Sequence, residues 1–554
     1  MALWDPAARL VDALLADHTV SRIWKRDTGA WNALAGSADA TSIANRLGWL
    51  DVARTMAPHL ERVAALGETA RRERVDAVYL LGMGGSSLCA EVLRSVFGVR
   101  EGSPELFVMD TTDERTITTA AARMDPARTW FLVATKSGGT VEVVSAERFF
   151  WTRMAAALGD RTGRHFIAIT DPGTALEQLS RARGYRELFL NPPDIGGRFS
   201  ALSLFGLVPA SLIGAQTETF AEGGSAMADG CRQENHANPG LQLGAFIAAA
   251  AQQGRDKLTL LLPPSLAALG LWIEQLVAES TGKHGKGSLP IVDEPLGRPD
   301  QYGPDRAFVS VATDVDAPDS HGVDALEHAR HPVLRLTTRA DGLGSEFFRW
   351  EFATAVAGAA LGINPFDEPN VAEAKQKTNA QLKAFAESGR FSEPRPAASN
   401  DRMDVMATSF SGTSPEEVVR AAIDTIAAGD YAAFLSYLPA SQDVESAVLK
   451  ARTAIRARTS AATTFGVGPR YLHSTGQYHK GGPNTIVAFV LTAEDETETP
   501  VPEAGYSFAV LKRAQALGDV DTLMAHRRRT VRIHFKRAAS AAEDFERLFA
   551  EALG

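Results

Sequence analysis

Gln275 and Glu279 stand four residues apart in LWIEQLVAESTGKHGKGSLPI, residues 271–291. Leu266, Leu269, Ile273, Leu276 and Val277 recur at helical spacing along this stretch, so the two polar side chains share another face and can address one ligand. The acid lies near the C-terminal end of the helix. There the negative pole of the macrodipole and partial burial both raise a carboxyl pKa. That property suits a general base working near neutrality. A solvated surface glutamate is the bland alternative, and other stretches must decide.

VYLLGMGGSSLCAEVLRSVFG (78–98) reads as strand, glycine-rich turn and helix. Such a turn presents backbone N–H groups and a helix N-terminus to an anion. The third glycine of a dinucleotide fingerprint is replaced by Ser87, and no Gly-Lys-Ser/Thr follows, so the turn is neither a Rossmann fingerprint nor a P-loop. FLVATKSGGTVEVVS (131–145) repeats the logic one strand later. Thr135, Lys136, Ser137 and Thr140 cluster around two glycines at a strand's C-terminal end, a set of hydroxyls, cation and amides that suits a phosphate monoester. In DIGGRFSALSLFGLVPASLIG (194–214) Arg198 follows paired glycines, where a guanidinium can stabilise a developing oxyanion.

These residues need rigid elements behind them. AVYLLGMGG, TWFLVATKSGG and HFIAITDPG are short apolar runs ending at Gly, Asp or Pro, with helix-like stretches between, the texture of a parallel sheet covered on both faces. A second series, DKLTLLLPP, SLPIV, RAFVSVATD and HPVLRLTT, predicts a second α/β unit. The expected division is a helical segment over 1–74, a first α/β domain over 75–215, a second over 216–397, and a C-terminal part over 398–554. In that last part PEEVVRAAIDTIAAGDYAAFLSYLP reads as helix, TTFGVGPRY and NTIVAFVLTA read as strands completing the second sheet, and 398–417 and 494–505 read as polar loops.

The net charge of −10 argues against a general nucleic-acid binder, so an anionic ligand needs locally placed cations. Only Cys89 and Cys231 are present, without metal spacing, which fits a reducing cytosol. No apolar run reaches the roughly 18–20 residues of a membrane span. The expectation is a soluble cytoplasmic protein.

GMGGSS, TKSGGTVE, GGRFS and ESTGK, in this order, together with INPFDEPNVAEAKQ (363–376), resemble the motifs of the phosphoglucose isomerase family, which interconverts glucose 6-phosphate and fructose 6-phosphate. The resemblance covers roughly residues 75–380. HSTGQYHKGGPNT (473–485) and the C-terminal part are similar to the isomerase half of bacterial transaldolase–isomerase fusion proteins, which implies a functional link to a transaldolase.

The resemblance implies an α/β fold of two sugar-isomerase (SIS) domains, flavodoxin-like three-layer α/β/α units with parallel sheets, plus helical N-terminal and C-terminal segments. The site would lie between the two domains. Gly85, Ser86, Thr135, Lys136, Ser137 and Thr140 would hold the phosphate, with Gly197 and Gln275 also on the substrate. Arg198 would stabilise a cis-enediolate, Glu279 would move the proton between C1 and C2, and Lys375 would help open the sugar ring. A small sugar phosphate is the implied substrate, with no metal or cofactor.

Two departures stand out. Most family members carry a ring-opening histidine on a Gly-Gln-His stretch soon after ESxGK, whereas EPLGRPDQYGPDRAF contains none. STGQYHKGG offers His479, the expected replacement, with His473 as the alternative. Glu368 stands where members have glutamine, seven residues before Lys375. Two other readings are an isomerase acting also on mannose 6-phosphate and a non-catalytic SIS-domain sensor. The sensor would carry a DNA-binding helix-turn-helix and lose the base.

Overall fold

The computed structural model describes residues 3–554. The first sheet is built from β1 (Ala77–Leu81), β2 (Glu105–Met109), β3 (Thr129–Ala134), β4 (Phe166–Thr170) and β5 (Glu187–Leu190). All pairs are parallel, in the order β2-β1-β3-β4-β5. This flavodoxin-type order has its topological switch between β1 and β3, where open sheets leave a crevice at the strands' carboxyl ends. The GMGGSS turn follows β1 and the TKSGGT turn follows β3, so both open into that crevice. β1 and β3 are almost wholly buried, which explains their continuous apolar character.

The second sheet contains β6 (Lys257–Leu261), β7 (Leu289–Ile291), β8 (Arg306–Ala312) and β9 (Val333–Thr337), again parallel, ordered β7-β6-β8-β9. The buried helix Leu269–Thr281, between β6 and β7, carries Gln275 and Glu279. One continuous apolar core joins the N-terminal helices, the first sheet and the second. Trp49, Phe199, Phe348 and Phe366 lie within it.

The C-terminal strands do not complete the second sheet as expected. β10 (Ala398–Ser399), β11 (Met403–Ala407), β12 (Tyr431–Ser436), β13 (Ala462–Val467), β14 (Ile486–Ala493) and β15 (Arg529–Phe535) form a third sheet, ordered β10-β11-β15-β14-β12-β13. Its β12–β15 portion is parallel and repeats the β2-β1-β3-β4 strand order of the first sheet. Apolar side chains of β7 and of helix Leu269–Thr281 pack against β12 and β14, so the second and third sheets share a core rather than a ladder.

Two local expectations fail here. Residues 415–439 are not one helix: the helix Pro415–Ile423 stops, Gly429 takes φ +87°, and YAAFLS becomes a strand buried at every position. The polar run 398–417 contains β10 and β11 because Met403 and Val405 face the core opposite β15. The stretch 494–505 has no regular element, yet Val501 is buried against the first domain. Among the described residues no helix is long and apolar enough to cross a membrane.

Candidate active site

A cleft of about 620 Å³ opens at the carboxyl ends of β1 and β3, against the end of helix Leu269–Thr281. Every side chain or glycine singled out in the first two domains lines it: Gly85, Ser86, Thr135, Lys136, Ser137, Thr140, Gly197, Arg198, Gln275, Glu279 and Lys375. His473 lines it as well, and His479 does not.

The GMGGSS turn approaches its neighbours closely. Gly84 has φ +54°, and a Cβ at Gly85 would lie 2.0 Å from the Gly197 carbonyl oxygen. Only glycine lets the turn touch the GGRFS loop, which brings Arg198 to the phosphate-type loops. Across the switch point, the Thr135 and Thr140 hydroxyls lie 2.8 Å apart. Thr140 precedes an 18-residue helix, Val141–Leu158, and makes no side-chain cap to it, so the first amides of that helix remain available to an anion. Lys136 is arranged differently from a direct anion ligand. Its ammonium contacts the Asp171 carboxylate and donates 2.8 Å to the Pro193 carbonyl, and burial lowers its pKa against the pull of Asp171.

Arg198 is buried and held on all sides. Nε donates 2.8 Å to Ser280 Oγ, and Nη2 donates 2.8 Å to the carbonyls of both Pro365 and Asp367. Nη1 lies 3.2 Å from Glu279 Oε1 and 3.1 Å from Glu368 Oε2. Lys283, the lysine of ESTGK, fixes the same 364–367 segment by donating to the Asn364 and Asp367 carbonyls and to the Asp367 carboxylate. Burial and nearby Arg198 push the Lys283 pKa down to about 8.

Glu279 is buried, and its pKa is raised above the ordinary carboxyl value. Burial is the main cause. Arg198 opposes it, Glu368 adds to it, and the Gln275 hydrogen bond and His473 pull the other way. Gln275 Nε2 donates 3.1 Å to Glu279 Oε2 and 2.8 Å to the His473 carbonyl. Gln275 Oε1 is buried and, among the described residues, pairs with no group of the chain.

The two histidines occupy different environments. His473 ends the short turn Arg470–His473 and faces the cleft, with Nε2 2.9 Å from Glu142 Oε1. Burial raises the pKa of Glu142, but His473, a helix amide and Lys375 outweigh it and leave the carboxyl below its usual value. His479, on the helix Gly476–Gly481, points into the core between the second and third sheets. Its Nδ1 is 2.8 Å from the Tyr431 hydroxyl, and burial with Lys480 and Arg528 nearby drives its pKa down to about 3. Of the two, the structure places the alternative, His473, in the cleft and the expected replacement, His479, outside it.

Sequence reasoning passed over Glu142, Asn45, Arg46 and Asp171. Asn45, Arg46 and Asp171 line the cleft, while Glu142 lies directly behind His473. Glu142 sits inside the quoted TKSGGTVEVVS stretch, and an acid in a first helical turn was the available signal. Among the described residues no group of three or more His, Cys, Asp or Glu side chains is arranged to hold a metal ion.

The sequence profile of the family described as phosphoglucose isomerase matches residues 20–297. The glucose-6-phosphate isomerase of Rubrobacter xylanophilus is 29% identical over 406 residues, covering 62% of this chain and 91% of the relative. That of Symbiobacterium thermophilum is 29% identical over 415 residues, covering 63% and 92%. Among solved structures, a hypothetical protein of Thermus thermophilus superposes with TM-score 0.58 at 22% identity, over 67% of this chain and 97% of that one. A glucose-6-phosphate isomerase of Chlamydia trachomatis superposes with TM-score 0.51 at 19% identity, over 67% and 78%. At these identities the superpositions speak to the fold.

Proposed function

The chain belongs to the phosphoglucose isomerase family, and from that premise we propose that its cleft interconverts glucose 6-phosphate and fructose 6-phosphate through a cis-enediolate. The observation that carries the reading is the convergence on one cleft of an anion-type loop pair, a buried carboxyl of raised pKa and a guanidinium 3.2 Å from it.

The phosphate ester sits on the amides and hydroxyls of Gly85, Ser86, Thr135, Ser137 and Thr140, with Lys136 adding positive potential from beside Asp171. This anchor uses binding energy remote from the reacting carbons to position them. His473, with Nε2 on Glu142, gives a proton to the ring oxygen as the C1–O5 bond breaks, the anomeric hydroxyl returns its proton to the imidazole by way of water, and Lys375 assists from the rim. Ring opening then leaves a C1 aldehyde and a C2 hydrogen. Glu279 takes the C2 proton, Arg198 holds the negative oxygen of the enediolate, and a proton passes between O1 and O2. Glu279 returns its proton to C1 to give the ketose. Gln275 Oε1, without a protein partner among the described residues, accepts from a substrate hydroxyl.

A coupled assay starting from fructose 6-phosphate tests this, run on wild type and Glu279→Gln. The variant should lose at least about 10²-fold in kcat, the scale of one general base, while still binding sugar phosphate. Turnover retained in the variant would remove the proton-transfer assignment. A cytosolic site of action fits the two buried free cysteines. A working association with a transaldolase rests on the similarity of residues 473–485 to fusion proteins, and co-purification from native extract tests it.

A further inference from the structure

Behind His473 runs a line of buried polar side chains contributed by distant parts of the chain. Glu142 Oε1 accepts from His473 Nε2 at 2.9 Å and also from Gln515 Nε2 at 2.7 Å. Gln515 Oε1 in turn accepts from the Thr112 hydroxyl at 2.9 Å. Thr112 is fully buried, and Gln515 and Glu142 are at most 5% exposed. Thr112 follows β2, Glu142 opens the helix after the TKSGGT turn, and Gln515 lies on the C-terminal helix Phe508–Ala525.

The chemistry of these groups fixes their roles. A hydroxyl can rotate to suit its partner, but a primary amide has one donating and one accepting end. With Thr112 on Oε1, Nε2 must face Glu142. The flipped amide would set its carbonyl oxygen against a carboxylate. Glu142 Oε1 thus receives one fixed amide donor and the His473 imidazole, and its orientation does not depend on the ring alone. Asp519, on the same C-terminal helix, lines the small neighbouring cavity together with Gln515, Glu142 and His473, so the C-terminal helix borders the Glu142–His473 pair directly.

We propose that Gln515 is a positioning residue for ring opening: its amide aims the Glu142 carboxylate at His473, and so links the C-terminal part to a reaction whose phosphate loops and base lie in the first two domains. This rests on the isomerase reading above. Buried hydrogen-bond chains of this kind act as a unit, and losing one member leaves a buried acceptor half satisfied.

The test uses the full chain as wild type, Gln515→Leu and Thr112→Val. Three quantities are compared: the enzyme-catalysed anomerisation of glucose 6-phosphate, which needs ring opening alone; exchange of the C2 proton with solvent; and the affinity for an open-chain aldonic acid phosphate, which needs no ring opening. Gln515→Leu should slow anomerisation roughly tenfold, the scale of one hydrogen bond to a buried carboxylate, with aldonate affinity unchanged. Thr112→Val, a smaller change that keeps the amide, should slow the same step by less. Unaltered anomerisation in both variants overturns the proposal, as does an equal loss of anomerisation and aldonate affinity, which marks a merely structural role. A wild-type chain without isomerase activity removes the underlying reading as well. An active wild type with indifferent variants removes this proposal alone.

Discussion

Nη1 of Arg198 stands 3.2 Å from Oε1 of Glu279, and both side chains are sealed from solvent except toward the cleft. In a low-dielectric setting this pairing works in two directions. It keeps a buried acid ionisable, and it places positive charge where an enediolate oxygen would develop. Glu368 complicates the pair by claiming the same nitrogen at 3.1 Å.

Replacing Glu368 by glutamine should move the acid limb of the pH profile of kcat/KM to lower pH. The Glu368 charge raises the Glu279 pKa, and the base works only when ionised. With that charge gone, Glu279 stays ionised further into acid. The profile, measured on wild type and Glu368→Gln, should differ on its acid side. An unmoved acid limb contradicts the electrostatic coupling of the two carboxyls.

His473→Ala and His479→Gln should separate cleanly. The first should reduce turnover of the cyclic sugar phosphate by about 10²-fold, the contribution of one general acid. The second alters a buried contact with Tyr431 and should lower thermal stability, with turnover per folded molecule near wild type. Paired melting curves and steady-state assays decide it, and a reversed pattern would return the ring-opening role to His479.

Ser137→Ala combined with Thr140→Val removes two hydroxyls from the loop after β3. The KM for the sugar phosphate should rise on the order of 10²-fold with kcat little changed, because two hydrogen bonds to an anion are lost in ground and transition state alike. Unchanged KM would place the phosphate elsewhere.

Glu274 gives a test of stability. It is buried on helix Leu269–Thr281, and burial with Asp293 nearby pushes its pKa up to about 8 from an ordinary 4.5. A raised folded-state pKa stabilises the fold fully below about 4.5, and that contribution is lost as pH rises through about 8. Glu274→Gln, uncharged at every pH, avoids the loss. Its melting temperature should exceed wild type at pH 8, with the gap closing toward pH 5. The difference at pH 7 is roughly 3 kcal/mol. Parallel curves across that range would refute it.

The phosphate-type loops and Glu279 were legible in the sequence because their signals are local. A strand that stops at glycines, or an acid on an apolar helix, announces itself within a dozen residues. Glu142 was not, since its meaning comes from His473, 331 positions away. The choice between His473 and His479 depends on a rotation within one short segment. One closes a turn over the cleft and the other faces Tyr431. The third sheet was hidden for a related reason. β12 and β14 are buried on both faces, so their residues show no alternation and carry no mark of which sheet they join.

The proposed base, guanidinium, anion loops and imidazole all come from one polypeptide, with the imidazole supplied by the segment between β13 and β14. On the proposed assignment such a catalyst would allow no rescue between molecules. Two disabled variants, one lacking Glu279 and one lacking His473, should remain inactive when mixed in any proportion, because each copy keeps its own defect.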